Sequence, residues 1–190
     1  GFSPHPRISY ANASATGAAS EAEYLEVALA EICDPDRVLT VLGAEMPPGM
    51  EVLEVVETDR TPFTELLTAS AWLIAPVGEV AGLAEAVEAV MAAETVEVKR
   101  MTKSGMRTFD VRAALIGLDV WDGKLRLMLR HVTPLVRPDD VLRALAEKCP
   151  ALDVDAARAT RLAQGACVED ASGVSTVLTD PFSGVAVTVW

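Results

Sequence analysis

Two glycine turn signals, Ser104-Gly105 and Asp122-Gly123, divide residues 95–132 into three segments in which apolar and charged residues alternate. Glycine adopts positive φ without a steric penalty, so both dipeptides favour tight turns between antiparallel strands. Alternation with a period of two is typical of strands that bury one face. We therefore predict three consecutive antiparallel strands, and this meander limits the fold more than any other part of the chain.

Opposite charges predict the register of each hairpin. A two-residue turn at Ser104-Gly105 places Lys99 opposite Asp110 and Glu97 opposite Arg112. A turn at Asp122-Gly123 places Asp119 opposite Arg126. A slip of one residue would bury these charges. The apolar pairs predicted for the second hairpin are Val120 with Leu125, Leu118 with Leu127, and Ile116 with Leu129.

The other elements are predicted from caps, breakers and periodicity. Asp34 before Pro35 is a helix start, and so are Thr61-Pro62 and Arg137-Pro138. Trp72, in a short apolar strand, is expected to lie in the hydrophobic core rather than to serve as a platform for a ligand. Strands are predicted over residues 7–13, 21–30 (where the composition also permits a helix), 50–58 and 70–75. An amphipathic helix is predicted over 79–93 and a short helix over 154–163, and residues 185–190 could add an edge strand or be a loose tail.

This order of elements predicts an α+β fold, with a mainly antiparallel sheet and helices on one face. From Ser70 onwards, the order βαβββα resembles a ferredoxin-like βαββαβ unit with one extra strand. We expect one domain over residues 1–150, with possible sub-units at 1–69 and 70–150. Residues 151–190 are expected to form a partly irregular extension.

Charge is unevenly distributed along this chain of 190 residues, whose net charge is −12. Residues 1–98 hold 3 Lys/Arg against 17 Asp/Glu, whereas residues 99–143 hold 10 against 5. The basic block is either a solvated sheet face, with cations paired to their neighbours, or a local footprint for an anion or nucleic acid. The overall acidity argues against unspecific nucleic-acid binding by the whole molecule.

Several classes of protein are disfavoured by composition. No apolar run reaches the ~18 residues of a membrane helix, and the first ten residues do not resemble a signal peptide. Three widely spaced cysteines suit a reducing cytoplasm. No metal-binding cysteine pattern, glycine-rich phosphate loop or nucleophile elbow is present, so we expect no metal and no cofactor.

Candidate binding residues cluster in the first hairpin. Lys103 and Arg107 could hold an anion such as phosphate if one face of the hairpin tip is free, and Arg100 lies beside them. Lys99 and Arg112 are weaker candidates because of their predicted acidic partners. His5, between two prolines, is a further candidate, whereas His131 is expected to be structural or exposed.

Four motifs occur in this order: GFSPHPRISYA, SEAEYLEV, KRMTKSGMRTFDVR and RPDDVL. Together with TRLAQG at 160–165, they resemble the radical-SAM-linked protein family over about residues 1–165. The resemblance implies a bacterial cytoplasmic protein, encoded beside a radical SAM protein with a B12-binding-like domain or fused to its C-terminus. The family's function is unknown, so no catalytic residue is carried over.

The chain departs from this family at its start. Members usually place a basic strand and a helix before the GFSPHP motif, whereas this chain begins at Gly1. We therefore expect an uncovered sheet edge or apolar patch, through which the chain could associate with itself.

These features predict an accessory module that is not itself an enzyme. It would present a substrate, such as RNA, to a radical SAM partner, with Lys103 and Arg107 near the contact. One alternative is a protein-interaction domain that docks through its acidic first half. Another is an enzyme acting on nucleic acid, which would require a pocket where His5 meets basic side chains.

Overall fold

A ferredoxin-like sheet forms the centre of the protein in the computed structural model, which describes residues 7–14, 17–58, 61–102, 105–169 and 176–190. In chain order the elements are β1 (Arg7–Ala11), β2 (Ala19–Ser20), β3 (Tyr24–Ala28), α1 (Pro35–Glu45), α2 (Phe63–Leu66), β4 (Ala69–Ala75), α3 (Leu83–Ala92), β5 (Glu97–Thr102), β6 (Gly105–Asp110), β7 (Leu115–Trp121), β8 (Lys124–Arg130), α4 (Pro138–Ala146), β9 (Arg158–Glu169), β10 (Thr176–Thr179) and β11 (Ala186–Val187).

The predicted α+β fold with a ferredoxin-like unit is confirmed. The largest sheet has the order β11-β10-β9-β4-β8-β7, and β4 is antiparallel to both β8 and β9. The chain therefore runs β4-α3-β7-β8-α4-β9, a βαββαβ unit whose first strand lies between the third and the fourth. The β5–β6 hairpin is a separate two-stranded sheet inserted between α3 and β7.

The main core lies between this sheet and two helices on one of its faces. From β8 it takes the alternate residues Leu125, Leu127 and Leu129, each at most 1% exposed. From α3 and α4 it takes Leu83, Val87, Val90, Val141, Leu142 and Leu145. Burying each such side chain stabilises the fold by about 1.5–3 kcal/mol.

The second face of the sheet carries small residues, and the C-terminal strands cover part of it. Ala69, Ala71, Ala163 and Leu178 form a separate buried cluster. A Cβ at Gly165 would lie 2.0 Å from the carbonyl oxygen of Thr179. The absence of a side chain at Gly165 therefore allows β10 to approach β9 closely.

The register predicted for the first hairpin is wrong by two residues. Lys99 pairs with Thr108 and Glu97 with Asp110, so neither predicted ion pair forms. The Asp110 carboxylate instead accepts hydrogen bonds from the backbone N–H groups of Val96 and Arg112, each at 3.0 Å. A shift of two residues keeps every side chain on its face, so the predicted apolar face survives.

The second hairpin follows the prediction near its turn. Asp122 and Gly123 have φ of 48° and 69°, as a type I′ turn requires. The pairs Val120–Leu125, Asp119–Arg126 and Leu118–Leu127 are confirmed. The pair Ile116–Leu129 is wrong, because an irregularity between Leu115 and Gly117 makes Leu115 the partner of Leu129.

Other predicted elements are corrected where pairing over long range decides the conformation. A 3₁₀ turn at Arg112–Ala114 divides the predicted middle strand, so residues 97–130 form four strands. Residues 50–58 are not a strand. The helix predicted over 154–163 is also wrong, because residues 158–163 belong to β9 and pair with β4. The helix predicted from residue 79 begins at Leu83, after Gly82 with φ of 80°.

Candidate functional site

The hairpin β5–β6, which we call the basic hairpin, packs one face against the main core. Val98 and Phe109 are cross-strand partners, 3% and 4% exposed. Side chains on the opposite face point to solvent, among them Lys99, Met101 and Met106. The hairpin is therefore held by its inner face and leaves its outer face open.

Arg100 fixes the basic hairpin to the start of α4. Its guanidinium pairs with the Asp140 carboxylate, donates to the Leu135 carbonyl oxygen at 3.1 Å, and lies 4.3 Å from the centre of the Phe109 ring. Asp140 is fully buried and also accepts from the Arg137 N–H at 2.9 Å. The charge of Arg100 is thus neutralised within the protein.

Arg112 holds the base of the same hairpin. Its Nε donates to the Met91 carbonyl oxygen at 3.2 Å, and its Nη1 donates to the Leu115 carbonyl oxygen at 3.3 Å. Met91 lies in the last turn of α3, where a cation is favourable beside unpaired carbonyl groups. Arg112 is therefore a structural residue, although the acidic partner predicted for it was wrong.

Among the described residues of the predicted site, Arg107 is the cation whose charge is not paired within the protein. It lies across the hairpin from Arg100, is exposed, and makes no ion pair or hydrogen bond with them. Two cross-strand arginines would repel each other, but Asp140 neutralises Arg100. Lys103 and His5, the other predicted residues, lie outside the described residues.

A second polar cluster, which sequence analysis missed, surrounds Arg161 on β9. Arg161 is 2% exposed, pairs with the Glu23 carboxylate, and lies 5.2 Å from the centre of the Trp72 ring. Its remaining donors bind the Asn12 carbonyl oxygen at 2.6 Å, Ser14 Oγ at 2.8 Å and Ser20 Oγ at 3.2 Å. Arg161 thereby ties Asn12, Ser14, Ser20 and Glu23 to the central sheet.

The same cluster shifts the pKa of Glu23. Burial alone would raise it, but hydrogen bonds from Ser20, Arg161 and Ser14, with the positive charge of Arg161, outweigh burial and lower the pKa. Glu23 therefore remains ionised and keeps its pairing with the buried guanidinium.

His131 lies at the edge of this cluster. Its Nδ1 is 2.7 Å from the Leu67 carbonyl oxygen and its Nε2 is 2.9 Å from Ser70 Oγ. Donation to the Leu67 carbonyl oxygen places the proton on Nδ1 and leaves Nε2 to accept from the Ser70 hydroxyl. Asn12 Nδ2 lies 3.0 Å from the same Nδ1 and then makes a contact there rather than a hydrogen bond to it. Burial lowers the pKa of His131, the Leu67 hydrogen bond raises it, and the Arg161 charge lowers it, with a net lowering.

A serine hydrogen-bonded to histidine can be a nucleophile and its base. Here Ser70 is 2% exposed near the start of β4, and its Oγ also accepts from Trp72 Nε1 at 2.9 Å. A substrate has no access to such a hydroxyl, so we interpret the pair as structural. His131 was expected to be structural or exposed, and this geometry fits a structural residue.

Gln164 completes the cluster. Its Nε2 donates to the Ala22 carbonyl oxygen at 2.6 Å, while its Oε1 is buried without a partner in the described residues. Arg161 and Gln164 both belong to the motif TRLAQG. A charged and an amide residue among the mostly small and apolar residues 159–168 was the signal that could have revealed them.

An apolar patch lies on the paired strands β1 and β3. Ile8 faces Val27 and Tyr10 faces Leu25 across the two strands. These four side chains are between 41% and 68% exposed. On the other side of the hairpin, Tyr24 contacts Phe182 edge to face with ring centres 5.5 Å apart.

Comparison with known proteins finds one family. The model of a family described as an uncharacterized protein conserved in bacteria, DUF2344, matches residues 1–138. No curated protein and no solved structure matches the chain. Within the described residues, no helix has the length and apolar character needed to span a membrane, and no three His, Cys, Asp or Glu side chains converge as metal ligands.

Proposed function

Since the chain belongs to the DUF2344 family of uncharacterized bacterial proteins, we propose that it is a cytoplasmic accessory module that presents an anionic substrate, RNA, to a radical SAM partner. The module itself performs no catalysis. The basic hairpin contacts the phosphates through Arg107 and Lys103. The partner enters the proposal through the four motifs that resemble the radical-SAM-linked family.

This proposal rests on a difference between the arginines of the basic hairpin: two are bound to groups of the protein and one is exposed. Arg100 and Arg112 are bound to groups of the protein and anchor the hairpin at both ends. Arg107 lies on the anchored scaffold, exposed and without an acidic partner among the described residues. A guanidinium held in this way can bind phosphate oxygens through two parallel hydrogen bonds.

Anchoring also explains how the hairpin would orient its substrate. A rigid binding element loses less conformational entropy on binding than a mobile loop. Val98, Phe109 and Arg100 fix the strands to the core, so the position of Arg107 relative to α4 is defined. A radical SAM partner docked beside α4 would then meet the bound RNA in one orientation.

The test is binding of single-stranded RNA over a range of salt concentrations, with Lys103→Ala plus Arg107→Ala. Loss of two phosphate contacts is expected to weaken binding and to reduce the slope of log K against log salt by about 1.4. Arg37→Ala plus Lys148→Ala removes the same charge from exposed sites elsewhere and is the matched control. Unchanged affinity and slope in the hairpin variant would refute the RNA contact.

The radical SAM partner requires a separate test. Tagged protein recovered from lysate with and without RNase is expected to bring down the radical SAM protein together with RNA, and to lose the RNA after RNase. Recovery of the partner alone, unaffected by RNase, would leave a protein-docking domain. Recovery of neither the radical SAM protein nor RNA would refute the proposal that this chain is an accessory module.

The second candidate function is that of a protein-docking domain. The apolar patch of Ile8, Tyr10, Leu25 and Val27 favours it, because exposed patches on isolated strands often bind another protein. Tyr10→Ser plus Leu25→Ser is expected to abolish recovery of the partner while leaving RNA binding intact. A change from dimer to monomer in sedimentation would instead identify the patch as a contact between copies of this chain.

A further inference from the structure

The face of the ferredoxin-like sheet that lies away from α3 and α4 is only partly covered. β10 and β11 cover the end near Ala71 and Met128. At the other end there is an open cavity of about 240 Å³. It is lined by Leu73, Trp121, Arg126, Leu162, Val189 and Trp190.

Two tryptophans and one arginine define the chemistry of this cavity. The guanidinium carbon of Arg126 lies 5.9 Å from the ring centre of Trp121 and 5.7 Å from that of Trp190. Both indoles are about half exposed, at 52% and 46%. Trp72, the third tryptophan, is buried and lies on the opposite face of the sheet beside Arg161. The cavity wall thus contains two half-exposed indole rings with the Arg126 guanidinium near both.

Arg126 keeps hydrogen-bond donors available. Its Nε donates to Asp119 Oδ1 at 2.8 Å, which fixes the plane of the guanidinium. The two Nη groups make no hydrogen bond within the described residues. An arginine oriented by one carboxylate can therefore direct its outer N–H groups to acceptors of a ligand.

The surroundings of the cavity are basic, although the chain as a whole is acidic. Leu125 and Leu127 point into the core. Successive side chains of a strand point to opposite faces, so Lys124 and Arg126 both lie on the open face of β8. Arg158 on β9 pairs with Ala75 of the adjacent strand and is exposed. Among the described residues, the acidic partner of Arg126 is Asp119. Charge complementarity therefore favours an anionic ligand.

We propose that this cavity binds a base of a single-stranded nucleic acid. The base stacks on Trp121 and Trp190, the Nη groups of Arg126 bind acceptors of the base or its phosphate, and Lys124 and Arg158 contact neighbouring phosphates. Known sites for single strands combine aromatic stacking platforms with a basic groove, and some RNA-binding domains stack bases on a four-stranded sheet. At about 240 Å³ the cavity suits one ring system, being smaller than the roughly 300–1,000 Å³ of drug-sized sites. The site is independent of the basic hairpin and does not require the function proposed above.

The first test needs no variant. Full-length protein is titrated with a single-stranded oligouridylate and with an abasic strand of equal length, and tryptophan fluorescence is recorded. We expect quenching by the oligouridylate and much weaker binding of the abasic strand, because only the former has a base to stack. Equal affinity for both strands, or no change in fluorescence at saturation, would overturn the proposal.

The second test separates stacking from other effects. Trp121→Ala is expected to weaken oligouridylate binding by roughly 5- to 150-fold, the range measured for loss of one base stack. Trp121→Phe keeps an aromatic face and should retain most of the affinity. Ile32→Ala removes a fully exposed apolar side chain outside both the cavity and the β1–β3 patch and should leave affinity unchanged. Equal losses in the Phe and Ala variants, or no loss in either, would overturn base stacking at this site.

Discussion

The guanidinium of Arg100 pairs with the carboxylate of Asp140, 40 positions further along the chain, and Asp140 has no exposure to solvent. This contact joins the inserted basic hairpin to the N-terminus of α4. Asp140 also accepts the Arg137 N–H, so one carboxylate caps the helix and binds the hairpin. The sequence around Arg100 does not indicate that its partner is Asp140, and the sequence around Asp140 does not indicate that it binds the hairpin.

Arg100→Ala is expected to reduce the free energy of unfolding by about 3–5 kcal/mol, because it leaves a buried carboxylate without its main partner. Asp140→Ala should cost less, since Arg100 is 15% exposed and can reach water. Chemical denaturation measures both. Arg107→Ala, its cross-strand neighbour, is the control and should stay within about 0.5 kcal/mol of wild type. If Arg100→Ala lowered the free energy of unfolding no more than this control does, Arg100 would not have the proposed role of anchoring the hairpin to α4.

Arg161→Ala is expected to detach the N-terminal hairpin before the rest of the protein unfolds. The substitution removes the ion pair with Glu23 and the hydrogen bonds to residues 12–20. Hydrogen exchange should increase in β1 and β3 more than in β4 or β8. Arg158→Ala on the same strand is the control because its side chain is exposed. Uniform exchange across the whole protein would show that the hairpin is not a separate unit of stability.

Gly165→Ala is expected to destabilise the protein by about 1–3 kcal/mol, because the new Cβ would lie 2.0 Å from a backbone oxygen of β10. Gly43→Ala is the matched control, since a Cβ there meets nothing within 4 Å inside α1. That change should stabilise by roughly 0.5–1 kcal/mol through the helix preference of alanine. Thermal and chemical denaturation measure both signs. A neutral Gly165→Ala would mean that β10 is not packed closely on β9.

Stability is expected to fall on acidification below pH 6.5, owing to His131. Its pKa in the folded protein is lowered from 6.5, mainly by burial, so the unfolded chain binds the proton first. The free energy of unfolding therefore decreases as the pH falls from 6.5 towards the lowered pKa. Denaturation curves at several pH values should show a smaller slope in this window for His131→Gln. An identical slope in the variant would exclude His131 as the source.

A further loss of stability is expected at lower pH from Glu23. Its pKa is lowered from 4.5, so its contribution is present above 4.5 and is lost as the pH falls through the folded value. Glu23→Gln should flatten the stability profile below pH 4.5 and leave the window of His131 unchanged. If both windows responded to Glu23→Gln, the two groups would titrate together through Arg161.

The sequence predicted where the cations of the candidate site lie along the chain, but not which groups they contact. The cluster of cations at residues 99–112 is visible in the sequence, and Arg107 is exposed as the hypothesis needs. The pairing of the individual cations was not predictable, because the partners of Arg100 and Arg112 are Asp140 and Met91, on other elements. The Arg161 cluster and the tryptophan cavity were missed for the same reason: each gathers residues from distant parts of the chain.

The sequence by itself determined the turn at Asp122-Gly123, the buried faces of the strands and the capped helix start at Asp34, because these depend on neighbouring residues. Gly123 with positive φ, Asp34 at the start of α1, and the alternating leucines of β8 are examples. Only the tertiary structure decided which strands pair. The sequence was compatible with a short helix over 154–163, but the edge of β4 offers hydrogen bonds there and makes it a strand. Polar side chains such as Arg161 are likewise buried only where distant partners satisfy them, which is a property of the whole fold.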